Sequence, residues 1–139
     1  MKRLLKVGIA IALVLTSFSS TAYAEEKPDS PTYFRTSALG DLADMKKDIE
    51  DARAALEKGG KWKLLGNAAE MAFNIGQMKS LTPPAPYAKQ WNSQLIALDT
   101  LHEKFTTSIS AGTVTESRSL LTKMTSQVKA METYVKKVK

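Results

Sequence analysis

The sequence of 139 residues contains no cysteine and only one histidine, His102. The absence of cysteine excludes disulfide bonds, thiolate metal sites, a cysteine nucleophile and covalent haem attachment through a C-x-x-C-H motif. The sequence also lacks a glycine-rich phosphate loop and the Glu-x-x-His motif of di-iron bundles. These absences predict a protein that is not an enzyme.

Long apolar runs are confined to the first 24 residues. A basic start precedes an apolar run over residues 7–15, and Ala22-Tyr23-Ala24 forms an A-x-A cleavage site. We therefore predict a signal peptide over residues 1–24 and export to the periplasm. Because no later apolar run approaches the roughly 20 residues of a membrane span, we expect no membrane insertion of the mature chain.

Charge of one sign is not concentrated in the mature chain. Three cations belong to the predicted signal peptide, so its removal lowers the formal net charge from +6 to +3. This small excess is spread among 14 acidic residues, which leaves no basic stripe and argues against nucleic-acid binding. The acidic residues alternate with lysines and are predicted to lie on exposed helix faces.

Apolar residues recur at intervals of three and four from residue 37 onward, which is typical of amphipathic helices. We predict an extended lead-in over residues 25–36, because it carries two prolines and no periodicity, and one helical domain over 37–139. The predicted inward stripes are Leu42, Met45, Ile49, Ala52 and Leu56; Leu64, Ala68, Met71, Ile75 and Met78; Trp91, Leu95, Leu98, His102, Phe105 and Ile109; and Leu121, Met124, Val128, Met131, Val135 and Val138.

Glycine and proline residues separate the four stripes. Gly59-Gly60, Pro83-Pro84 and Ala111-Gly112 are expected to end the first three helices. Thr113-Val114-Thr115-Glu116 has the T-x-x-E spacing of a capping box at the start of the fourth. The order predicts an all-α fold, an antiparallel up-down-up-down four-helix bundle.

Methionines recur in the predicted core. One end of the bundle is expected to collect Met45, Met78, Trp91, Met131 and Tyr134, and the next layer holds Ala52, Met71, Leu98 or His102, and Met124. Methionine is a flexible gap-filler in cores, and its thioether also ligates haem iron and Cu(I), so both interpretations stay open. For His102 we favour a buried neutral imidazole that is hydrogen-bonded to a neighbour over a ligand.

The order of these features resembles the cytochrome b562 family. The matching features are Met45 near the start of the first helix, Thr82-Pro83-Pro84 after the second, an aromatic residue near the start of the third, and the Gly-x-Val-x-Glu entry to the fourth. Met45 stands at the family's separation from Thr-Pro-Pro, and Met71 falls on a family methionine without a gap. The resemblance covers the chain from about residue 39 to its C-terminus.

The resemblance implies a small electron-transfer protein that binds haem b without covalent attachment and serves a periplasmic redox partner. Met45 then becomes an axial ligand of the haem iron, and the apolar pocket is formed by Met78, Trp91, Leu95 and Met131. The family's second axial ligand, a histidine near the end of the fourth helix, is missing here, because Glu132 or Val135 stands at that position depending on the alignment. Haem would then be bound through Met45 alone or through two methionines, with Met131 beside the position of the missing histidine.

Two alternatives to electron transfer remain. One is a haem-free relative that binds Cu(I), or another metal ion, through its methionine-lined interior. The other is a haem-free structural or interaction bundle with a packed interior. The sequence leaves the oligomeric state open.

Overall fold

The structure, a computed structural model, describes residues 30–139, and these residues form an all-α four-helix bundle. The helices are α1 (Pro31–Glu57), α2 (Lys61–Ser80), α3 (Ala85–Ala111) and α4 (Val114–Val135). Helices α1 and α3 each pack against both α2 and α4, which gives a square arrangement. Turns of two to four residues join successive helices, so neighbours run antiparallel and the predicted up-down-up-down fold is confirmed.

Helix α1 begins earlier than the sequence predicted, because residues 31–36 are helical and not extended. The Ser30 hydroxyl accepts a hydrogen bond of 3.0 Å from the Tyr33 N–H, and Pro31 occupies the first turn. Serine at the N-cap and proline at the first helical position both favour a helix start. The predicted signal peptide and residues 25–29 lie outside the described part of the chain.

The predicted helix ends agree closely with the structure. Gly59 and Gly112 have φ angles of +71° and +73°, a left-handed conformation that glycine adopts without steric cost. Each follows a helix end, and the N–H of the residue after each glycine bonds back to a carbonyl of that helix. Pro83-Pro84 follows α2, and Pro84 precedes the first residue of α3.

The capping box predicted at the start of α4 does not form. Thr113 precedes α4, but its hydroxyl makes no cap hydrogen bond. The hydroxyl instead contacts the Ser108 carbonyl and a Glu116 carboxylate oxygen, each at 3.2 Å. The Ser108 and Ser117 hydroxyls lie 2.7 Å apart in the interior and connect α3 to α4. The turn is therefore held by contacts back to α3.

The four predicted stripes form the core. Every residue of these stripes is buried, and Phe34 and Ala38 extend the first stripe toward the start of α1. Within residues 30–139 no helix has the length and apolar character needed to cross a membrane.

Candidate functional site

The five residues predicted to form a haem pocket all lie in the core. Met45, Met78, Trp91 and Met131 have no exposed surface, and Leu95 is 4% exposed. The structure therefore brings the predicted site residues into one apolar interior, and the methionine sulfurs are shielded from solvent.

Met45 and Met131 lie at the same level of the bundle. The Lys46 ammonium, next to Met45 in α1, forms a salt bridge of 3.0 Å with Glu132, next to Met131 in α4. Because α1 and α4 pack against each other, this bridge aligns the two helices at that level. The sequence-based grouping of these two methionines is consistent with this register.

One level deeper, Arg53 connects the same two helices. Its guanidinium donates to the hydroxyls of Thr122 and Thr125, at 3.5 and 3.2 Å. Arg53 follows Ala52 and Thr125 follows Met124, so these two core residues also share a level. The inner layer predicted from the sequence therefore has the expected register between α1 and α4.

Trp91 packs against Phe34. The two ring centroids are 5.1 Å apart, and the rings meet edge to face at 87°. Phe34 belongs to the segment predicted as an extended lead-in, and it is fully buried. The indole predicted to line a haem pocket is thus covered by a side chain from the first turn of α1.

A pair of tyrosines closes the same end of the bundle. The rings of Tyr87 and Tyr134 lie 5.9 Å apart, and the Tyr134 hydroxyl donates to the Tyr87 carbonyl at 3.2 Å. The Tyr87 hydroxyl donates to the Lys137 carbonyl at 3.2 Å. Burial, and to a lesser degree Tyr87, raises the pKa of Tyr134. The contacts hold the end of α4 against the start of α3.

The residues present do not fit the haem that the family resemblance implies. Neither candidate for the missing axial position supplies an imidazole: Glu132 is engaged by Lys46, and Val135 is a fully buried aliphatic side chain. Phe34 lies against Trp91, where the pocket wall was expected. An axial thioether from Met45 would therefore have no second ligand of the family's type, and the surrounding space is packed with side chains.

His102 is engaged elsewhere. Its Nε2 lies 2.7 Å from the Ala68 carbonyl oxygen. A carbonyl oxygen only accepts, so Nε2 carries the proton and donates across from α3 to α2. This geometry matches the interpretation of a buried imidazole that is hydrogen-bonded to a neighbour.

A buried polar contact between α1 and α2 was missed from the sequence, which had placed the acidic residues on exposed faces. The Asn74 amide donates to the Asp48 carboxylate at 2.5 Å, and both residues are buried. Burial first, and then the neighbouring charges of Glu70, Asp44 and Asp51, raise the pKa of Asp48 to about 6. Asn67 and Asn74 are seven residues apart and border the core stripe of α2 on the same side. This spacing indicates a row of polar residues along one edge of the stripe.

A small cavity lies at the opposite end of the bundle from Trp91. It has a volume of about 120 Å³ and lies between Leu56, Leu64, Ile109, Val114 and the Ser108–Ser117 pair. Ligand pockets usually enclose about 300–1,000 Å³, so this cavity suits at most a very small molecule. The described residues contain no group of three or more histidine or acidic side chains placed to hold a metal ion.

Comparisons with known proteins identify no relative: no family model matches the chain, and no match is found among curated proteins or solved structures. The resemblance to cytochrome b562 therefore rests on the residues quoted above. Fold alone does not determine function, so the functional argument depends on this chain's own residues.

Proposed function

We propose that the protein is an exported, haem-free four-helix bundle of the cytochrome b562 type, with a structural interior and a binding function on its surface. The observation that carries this proposal is the packing of Phe34 against Trp91. In this arrangement the end of the bundle expected to hold haem is filled by the chain's own side chains.

The positions of the potential ligands support the same proposal. Met45 and Met131 are fully buried, and the Nε2 of the single histidine donates to a backbone carbonyl. Haem entry would require the buried side chains of Phe34 and Trp91 to separate and repack. The packed interior supports a structural role for these residues.

The competing proposal is a small electron-transfer carrier that binds haem b through Met45 and serves a periplasmic redox partner. Titration of haemin into the protein separates the two. We expect neither a Soret shift nor sharp low-spin bands with the parent protein, and we expect the same spectrum with Met45→Ala. Stoichiometric binding with bands that vanish in Met45→Ala, and persist in the control Met71→Leu, would establish the haem carrier instead.

A second candidate function is Cu(I) binding, and the shared level of Met45 and Met131 favours it. Thioethers are soft ligands that select Cu(I), and a single ion needs far less space than haem. If it binds there, Cu(I) raises the melting temperature by mass action, and Met45→Leu abolishes the rise. Loss of the rise only in the Met71→Leu, Met124→Leu double variant would place the ion in the inner layer.

A further inference from the structure

Helix α2 has a second apolar stripe on the side opposite its core stripe. Residues 62, 66, 69, 73 and 76 recur at intervals of four and three, so they lie along one helix face. All five are exposed, with Trp62 at 86% and Phe73 at 39%. We call this face the outer stripe; its members are Trp62, Gly66, Ala69, Phe73 and Gly76.

The fold of the single chain does not explain the outer stripe. A helix that is apolar on opposite sides is typical of one that is buried on both. A Cβ atom added at Gly66 or Gly76 would meet nothing within 4 Å. Glycine inside a helix is less stable than alanine, so these exposed glycines weaken α2 without relieving any contact in the described chain. Small residues at such positions allow another helix to approach closely.

We propose that the outer stripe is a self-association surface, on which α2 of a second copy of this chain packs antiparallel. The stripe is self-complementary about a point between residues 67 and 68. An antiparallel α2 centred there brings Trp62 over Phe73 of the second copy and Gly66 over Ala69 of the second copy. A twofold interface uses the same patch on both subunits, and this spacing meets that requirement.

Charge complementarity supports the second copy as the occupant. Lys63 and Glu70 are seven residues apart and border the outer stripe on the same side. Neither forms an ion pair among the described residues. In the antiparallel arrangement, Lys63 lies near Glu70 of the second copy, and the symmetry creates this pair twice. A parallel twofold arrangement would instead place Lys63 and Glu70 of the two copies on opposite sides of the contact, where they could not pair.

The proposed contact is a reversible one. Helix α2 has 20 residues and is about 30 Å long, so a single pair of crossing helices gives an interface at the small end of specific contacts. Two tryptophan–phenylalanine contacts at its ends supply the residue types that dominate interface energetics. We therefore expect a monomer–dimer equilibrium that depends on protein concentration.

Sedimentation velocity over a range of concentrations tests the inference on the chain without its predicted signal peptide. We expect the sedimentation coefficient to rise with concentration from the monomer value toward the dimer value. Gly66→Gln should raise the dimer dissociation constant at least tenfold, while the melting temperature of the dilute protein stays the same or rises. Gly40→Gln, at another open helical glycine on α1, is the matched control and should leave dimerisation unchanged.

Charge reversal tests the orientation of the two copies. Lys63→Glu should weaken the dimer, and adding Glu70→Lys should restore it. Because the chain has no cysteine, Ala69→Cys places one thiol per subunit near the proposed twofold axis. We expect it to cross-link under mild oxidation, whereas Ala54→Cys on the exposed face of α1 does not.

Three outcomes would overturn the inference: a monomer at every concentration, a dimer that Gly66→Gln does not affect, or a monomer that binds phosphatidylglycerol vesicles through Trp62. The inference rests on the proposal that the bundle binds through its surface, but different experiments test the inference and the proposal. Haemin titration examines the interior, whereas sedimentation examines the outer stripe.

Discussion

The ring of Phe34 meets the indole of Trp91 edge to face, with 5.1 Å between the ring centroids. Phe34 lies eleven residues before Met45 in α1, about three helical turns. The contact therefore makes the first turn of α1 part of the core. It also joins α1 to α3, two helices that do not pack directly side by side.

Phe34→Ala should destabilise the protein by about 3–5 kcal/mol, because truncating a buried aromatic residue loses its transfer free energy and leaves a cavity beside Trp91. Urea unfolding followed by far-UV circular dichroism measures the change. The matched control is Ile96→Ala, which removes a side chain that is 66% exposed on α3 and should cost much less. A loss for Phe34→Ala no larger than that of this control would contradict a contribution of Phe34 to the core.

The fold was predictable because the apolar periodicity of this chain is regular, whereas the start of α1 was not. The two prolines of residues 25–36 favoured an extended lead-in, although Pro31, after Ser30, occupies a position where proline favours a helix. Phe34 and Ala38 precede Leu42 at helical spacing, so the helical periodicity extends into this segment. Two residues at helical spacing are, however, weak evidence for a helix in a segment that contains two prolines.

The site was harder to predict than the fold. Periodicity identified which side chains point inward, but it does not show whether an inward methionine binds a ligand or fills space. The Asp48–Asn74 contact was missed because both residues lie at the edges of the core stripes, where a helical pattern alone does not distinguish burial from exposure. Their pairing depends on the packing of α1 against α2, which is a tertiary property.

Asp48 should make stability depend on pH. Its pKa is raised from 3.8 to about 6, so the folded chain holds this proton more tightly than the unfolded chain. The stabilising contribution is complete below about pH 4 and is lost as the pH rises through about 6. Asp41 contributes to the pH dependence in the same direction, because burial and then Asp44 raise its pKa to about 6. The urea concentration at the unfolding midpoint should therefore fall as the pH rises from 4 to 7.

Asp48→Asn should reduce this pH dependence without loss of stability at pH 7. The asparagine carbonyl still accepts from Asn74, but no carboxylate has to be ionised in the interior. The double variant Asp41→Asn, Asp48→Asn should give a nearly flat profile between pH 4 and pH 6. Glu50→Gln, at an exposed position of α1, serves as the control and should keep the parent's slope. A parent profile that rises with pH would contradict the prediction.

Two glycines should respond in opposite directions to the same substitution. At both Gly40 and Gly112 an added Cβ would meet nothing within 4 Å, so steric contact with the chain does not distinguish them. Gly40 lies inside α1, where alanine is favoured by about 1 kcal/mol. Gly112 has a φ of +73°, where a side chain costs about 1–2 kcal/mol. We expect Gly40→Ala to raise the melting temperature by about 4 °C and Gly112→Ala to lower it by at least as much.

The hydrogen bond from His102 to the Ala68 carbonyl gives a spectroscopic test of the interior. The neutral imidazole should carry its proton on Nε2, because that nitrogen lies 2.7 Å from an oxygen that only accepts. Long-range ¹⁵N–¹H correlation spectra distinguish this tautomer, and the chain has one histidine, so the assignment is unambiguous. Addition of haemin or Cu(I) should leave the imidazole signals unchanged. An Nδ1-protonated tautomer would contradict the geometry, and signals that shift or broaden with either ligand would place the imidazole in a binding site.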